Sequence, residues 1–215
     1  MNIKKTANLL LNFAIKRLAE IFGIIIFVSG IMLLIALMTY SPDDPNFIFP
    51  ENTQIKNLLG FQGSFISDLF FQSVGLVAYL VSFTFILTGI NIFRAKDFFL
   101  IIENNFYTIL YSIFGTLFIS HFYSNNFTFY INGNGGFVGN YLNQTFLNSV
   151  ILLNERLFHY ILILITLILF FVSINFSLKK FTGVIKKIYN FFFEKNKKNY
   201  TDKSEIINEY IPQDE

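Results

Sequence analysis

Apolar residues in this chain gather into four long runs separated by short polar segments. The runs cover residues 21–39, 69–93, 105–123 and 157–178, and none of them contains Asp, Glu, Lys or Arg. A helix needs about 20 mostly apolar residues to cross the hydrocarbon core of a bilayer. A single charge at the centre of such a helix would cost roughly 2.5–3.5 kcal/mol. Strands of a membrane barrel would instead give short segments of alternating polarity. The pattern predicts an all-α integral membrane protein with four transmembrane helices. The third run is the most polar, with Thr108, Ser112, Thr116, Ser120 and His121.

The polar segments show a second pattern. In residues 1–20, Ile3, Ala7, Leu10, Leu11, Ala14 and Leu18 recur at helical spacing, with Lys4, Lys5, Asn8, Asn12 and Lys16 between them. This predicts an amphipathic helix lying on the membrane surface. Residues 179–193 repeat the idea: Phe181, Val184, Ile185, Ile188, Tyr189 and Phe192 form a stripe beside Lys179, Lys180, Lys186 and Lys187. A basic face of this kind suits anionic headgroups, and lysines beside a span are more often topological anchors than nucleic-acid contacts. Residues 194–215 are polar and mixed in charge, which predicts a flexible tail or linker.

Placement of Lys and Arg sets the expected orientation. The N-terminal segment holds Lys4, Lys5, Lys16 and Arg17, the loop after the second run holds Arg94 and Lys96, and the segment after Leu178 holds eight Lys. The other two loops hold only Lys56 and Arg156, and the first of them also carries Asp43, Asp44, Glu51 and Asp68. The positive-inside rule then puts both termini on the cytoplasmic side. The first run follows no short leader pattern and precedes no small-x-small cleavage site, so it is expected to be retained.

Composition narrows the chemistry. Among 215 residues there are 30 Phe and no Cys, so disulfides and thiolate metal sites are excluded. Mean hydropathy is +0.53 and charged residues make up 14%, too few to cover a soluble globule. The bias to Asn, Ile, Lys and Phe fits an AT-rich coding background. No G-x-x-x-x-G-K-[ST] occurs, and the glycines near 133–139 do not fit G-x-G-x-x-G, so no nucleotide cofactor is expected. His121 and His159 lack the further ligands a metal needs, and no nucleophile–base pair is identifiable, so no catalytic, cofactor or metal residue is assigned. The hydroxyl stripe Thr108, Ser112, Thr116 and Ser120, with Gly115 beside it, suits close helix packing better than a conduit, which usually carries ionisable groups. Gly75, Ala78 and Ser82 offer a matching small face. Asn126–Thr128 and Asn143–Thr145 match glycosylation sequons, which arise by chance in an Asn-rich chain.

Turn-forming residues cluster between the apolar runs. Thr39-Tyr40-Ser41-Pro42-Asp43-Asp44-Pro45-Asn46-Phe47 ends the first run, and its prolines bar helix continuation. Asn57, Gly60 and Gly63, then Asp68-Leu69, Gln72, Gly75, Ala78 and Tyr79, lead into the second. Asn-Gly-Asn-Gly-Gly at 132–136 is a turn cluster, and Gly135-Gly136-Phe137-Val138-Gly139 precedes a short interfacial helix and the fourth run.

In their order along the chain, these three segments resemble the N-terminal membrane domain of the FtsK/SpoIIIE DNA translocases. The first is similar to that family's aromatic-x-Pro-x-Asp-Pro-x-aromatic segment, the second to its Asn, Gly, Gly, Asp-Leu, Gly progression, and the third to its Gly-Gly-x-x-Gly. The resemblance covers residues 20–178 and includes the number and order of spans. It implies a non-enzymatic membrane anchor and septal targeting domain for a DNA pump that couples chromosome segregation to cell division. It further implies a homo-oligomer, a hexamer in that family, that meets division-site membrane proteins and touches DNA only through an ATPase motor absent from this sequence. The tail from Glu194 would be the start of the linker to that motor. Tyr40, Pro42, Asp44, Pro45, Gly60, Gly63, Asp68, Gly75, Gly135, Gly136 and Gly139 are the motif residues expected to act as folding determinants. The alternative function is a small transporter or channel subunit, for which the span-three stripe is the support.

Overall fold

The computed structural model describes residues 3–45, 54–124 and 131–177, and positions 182, 183, 186, 189 and 190. Every regular element among them is helical. Helix α1 (Ile3–Met38) is followed by α2 (Gly60–Val74), a 3-10 turn (Gly75–Val77) and α3 (Ala78–Ala95). Then come α4 (Phe99–Phe122), the short α5 (Gly136–Asn143) and α6 (Phe146–Leu153), and α7 (Glu155–Ser173). These elements form one unit, residues 1–175; a second begins at Phe176, and Thr182, Gly183, Lys186, Tyr189 and Asn190 are helical within it.

The long helices alternate in direction. Gly23 meets Gly89 and Phe93, Gly30 meets Ile86, and Leu37 packs on Ala78, so α1 and α3 are antiparallel. Tyr111 reaches Thr84, and Asn104 reaches Thr88, so α4 runs against α3. Gly115 touches Thr166 while Tyr111 stacks edge-on to Phe170, so α7 runs against α4. Loops of the first and third connections meet at one end, the loop end. The α3–α4 link and the close of α7 sit at the other.

Glycine makes the α1–α3 contact unusually close. A Cβ on Gly23 would lie 2.7 Å from the backbone nitrogen of Phe93, and one on Gly30 2.7 Å from that of Ile86. Backbone therefore packs on backbone, the arrangement small residues permit between helices in lipid. The expected hydroxyl stripe of α4 is buried. Thr108 Oγ1 donates to Asn104 O at 2.7 Å, Thr116 Oγ1 to Ile113 O at 3.1 Å, and Ser120 Oγ to Asn140 Oδ1 at 2.7 Å.

Three helical stretches are long and apolar enough to cross a membrane: Asn8–Met38, Gly60–Ala95 and Glu155–Ser173. The 24-residue α4 is more polar because its inward face carries Asn104, Thr108, Ser112, Thr116 and Ser120. Three expected boundaries change. Residues 1–20 do not form a separate surface helix; α1 is continuous from Ile3, because no Gly or Pro interrupts it before Gly23. Residues 8–18 extend past the bundle with every position exposed. The second run is not one helix over 69–93: residues up to Val74 belong to α2, and Gly75 at φ +58° breaks the path. The fourth span stops at Ser173 and not at 178, where Asn175 adopts φ 51°. Asn46, Phe47, the sequon at 126–128, the tail from 194 and most of the basic segment 179–193 lie outside the described residues.

Candidate functional site

The motif residues converge at the loop end, in a scaffold built from two loops. The first is anchored by Asp44, which is only 1% exposed. Pro42 and Pro45 prevent α1 from continuing, and the chain turns so that the Asp44 carboxylate faces the returning segment of residues 54–58. Its Oδ1 accepts the Lys56 amide at 2.8 Å and its Oδ2 the Asn57 amide at 2.8 Å. Asn57 in turn donates Nδ2 to Ala36 O at 2.9 Å, capping an otherwise open carbonyl near the end of α1. Its Oδ1 accepts the Leu59 amide at 3.0 Å. Ser64 Oγ donates to the carbonyl of buried Pro45 at 3.1 Å. Gly63 leaves room for Asn57, whose Oδ1 a Cβ there would strike.

Outside this clasp, Lys56 Nζ meets Asp43 Oδ2 at 2.8 Å, with both side chains well exposed. The Asp43 carboxylate, through hydrogen bond and charge, holds the Lys56 ammonium pKa above its ordinary value. Screening by solvent makes such a pair a weak brace.

A chain of side chains links the first loop to the second. Tyr40 OH donates to Asp68 Oδ1 at 3.0 Å, and Gln72 Nε2 donates to the same oxygen at 3.4 Å. Gln72 Oε1 accepts the Asn132 amide at 3.2 Å and Asn132 Nδ2 at 3.1 Å. Asn140 Nδ2 donates to Asn132 O, and Asn140 Oδ1 accepts Ser120. The route thus runs from α1 through α2 to the glycine loop, α5 and α4.

The glycine loop lies directly on the α2–α3 junction. Leu76 N donates to Asn134 O at 2.9 Å. Gly75, at φ +58°, has no space for a side chain because a Cβ would strike that same carbonyl. Gly136, at φ +65°, is blocked 2.6 Å from Gly75 N. Gly135 and Gly139 press on the Thr116 carbonyl of α4. Gly60, at φ +65°, stands in open space and serves only to start α2. Asn134 is 2% exposed; its Nδ2 donates to Tyr123 O at 2.7 Å, and its Oδ1 has no protein partner among the described residues.

Tyr40, Asp44, Pro45, Gly63, Asp68, Gly75, Gly135, Gly136 and Gly139 therefore meet in these contacts, whereas Gly60 stands apart and Pro42 only ends α1. Sequence reasoning missed Asn134 and Asn140 as determinants and gave Asn57 and Gln72 no role beyond their motif. Their signal was the density of Asn in the loops, which a compositional bias masks. His121 Nδ1 pairs with Asn143 Oδ1 at 3.1 Å, and His159 packs edge-on against Phe118 and Phe122. No group of three or more His, Cys, Asp or Glu that could hold a metal occurs among the described residues. Apart from Asn134 Oδ1, the buried carboxylates, amides and hydroxyls at this end bond to one another or to backbone, as in a braced scaffold.

Comparison with known proteins bears on the same residues. Residues 15–186 match the family described as the 4TM region of DNA translocase FtsK/SpoIIIE. This chain belongs to that family. The FtsK 4TM match takes in both loops, α1 from Ile15 onward, and the whole of α2, α3, α4 and α7. Among curated proteins it is similar to DNA translocase FtsK of Azospirillum brasilense, 27% identical over 112 residues, which is 51% of this chain and 17% of that protein. DNA translocase FtsK of Caulobacter vibrioides is 36% identical over 73 residues, 34% of this chain and 9% of the relative. For that of Rickettsia prowazekii the identity is 29% over 72 residues, 34% and 10%. The chain thus aligns with less than a fifth of the length of these relatives. No solved structure matches it.

Proposed function

We propose that this chain is the bilayer anchor and septal targeting segment of an FtsK-type DNA translocase that couples chromosome segregation to cell division. The observation that carries the proposal is the interlocked loop end, where most of the motif residues are tied to one another by hydrogen bonds and close packing. In this reading α1, the α2–α3 path, α4 and α7 cross the inner membrane in turn, and both termini are cytoplasmic. Their alternating directions support four crossings. The distribution of charge supports the orientation: Arg17, Arg94 and Lys96 sit at one end, and Asp43, Asp44 and Asp68 at the other.

The segment itself hydrolyses nothing. It assembles with further copies of itself, as a hexamer by family likeness, presents the loop end to division-site membrane proteins, and holds a DNA-translocating motor on the cytoplasmic side. Expression of the chain as a fluorescent fusion in dividing bacterial cells tests the targeting. Enrichment at midcell that is lost in Asp44→Ala is the expected result. Even membrane fluorescence in the unsubstituted fusion refutes septal targeting.

A further inference from the structure

At the end away from the loops, a groove of about 380 Å³ opens beside the close glycine contact of α1 and α3. Gly23 and Gly89 form its floor, Ile24 and Phe27 line one wall, and Ile90 and Phe93 line the other. Arg94 stands at its mouth, one residue beyond Phe93. Ile24 and Phe93 are 50% and 46% exposed, so the groove opens outward from the helix pair.

The cations around this mouth are not equivalent. Arg17 and Lys96 both bind Glu20, at 2.6 and 2.7 Å, and Arg17 also lies over the Phe13 ring. Asp97 accepts the Phe99 amide at 2.9 Å. Arg94 is exposed and has no hydrogen-bond or ion-pair partner among the described residues. A guanidinium over an apolar channel, at the depth where helices leave the hydrocarbon, matches a phosphate joined to an acyl chain.

We propose that this groove is a binding site for one anionic phospholipid, with an acyl chain along Gly23 and Gly89 and the headgroup phosphate on Arg94. The site needs only that α1 and α3 cross a bilayer. It does not depend on the anchor role, and its readout is separate from localisation.

Native mass spectrometry of the full chain, released from detergent with equal phosphatidylglycerol and phosphatidylcholine, tests the site. Preferential retention of phosphatidylglycerol is expected, falling about fivefold in Arg94→Gln. Lys96→Gln removes the same unit of charge two residues away and should have a smaller effect. Ile24→Trp fills the groove and should reduce retention with Arg94 intact. Arg94 is exposed, and an unchanged circular dichroism spectrum will show that its variant folds. Equal retention of the two lipids, equal loss in Arg94→Gln and Lys96→Gln, or undiminished retention in Ile24→Trp would each overturn the proposal.

Discussion

Placing a methyl group on Gly75 tests the loop scaffold more sharply than any other substitution. Gly75→Ala forces an L-residue to φ +58°, ψ −140°, a region essentially reserved for glycine. That alone costs about 1–3 kcal/mol. The new Cβ also strikes the Asn134 carbonyl, so the bond from Leu76 N to Asn134 O must open. Leaving the half-buried Leu76 amide without an acceptor adds about 1–3 kcal/mol. The sum, about 2–6 kcal/mol, is a large part of the 5–15 kcal/mol typical of a folded domain. Gly60→Ala separates the two causes, because Gly60 has φ +65° but nothing within 4 Å of a Cβ. It should lose about 1–2 kcal/mol through its backbone alone. Denaturant unfolding of the purified protein in mixed micelles, followed by circular dichroism, measures both. Equal destabilisation by the two substitutions would show that the Asn134 contact does not brace the loop. A loss under about 1 kcal/mol for Gly75→Ala would refute the account of both backbone and contact.

Asp44→Ala orphans the Lys56 and Asn57 amides and should lower stability by about 3–6 kcal/mol in the same assay, since hydrogen bonds to charged groups are worth about 1.5–3 kcal/mol each. Lys56→Ala, which removes only the exposed partner of Asp43, should leave the unfolding midpoint unchanged. Gly89→Leu drives a side chain into the Phe27 backbone, where a Cβ alone would approach to 2.5 Å. It should abolish a disulfide engineered between α1 and α3 that forms in the unsubstituted background. Tyr40→Phe removes one hydrogen bond to the Asp68 carboxylate and should cost about 1.5–3 kcal/mol with the fold retained.

The long helices are legible in the sequence because lipid demands runs of apolar residues that nothing else in the chain imitates. The break at Gly75 is less legible, since a glycine inside an apolar run reads as helix packing. Its role depends on Asn134, 59 residues further along the chain, and composition does not encode such a pair. The prolines and Asp44 mark the first loop directly, but their partner Asn57 looks like any polar loop residue until its Nδ2 is seen on Ala36. Amphipathic spacing in residues 1–20 was visible, yet spacing does not report whether the helix bends at the membrane surface. The glycines at 23, 30 and 89 were hidden by the apolar runs around them, although the seven-residue step from Gly23 to Gly30 keeps both on one face of α1.

The proposed topology requires the loop end and the α3–α4 link to lie on opposite sides of a bilayer. The chain has no Cys, so single cysteines can be placed at Asp43, Phe137 and Asp97 without background. Labelling of intact spheroplasts with a membrane-impermeant maleimide should modify the cysteines at 43 and 137 at once, and the one at 97 only after the membrane is permeabilised. Labelling of all three in intact spheroplasts, or of the cysteine at 97 alone, would contradict the four-crossing arrangement and its orientation.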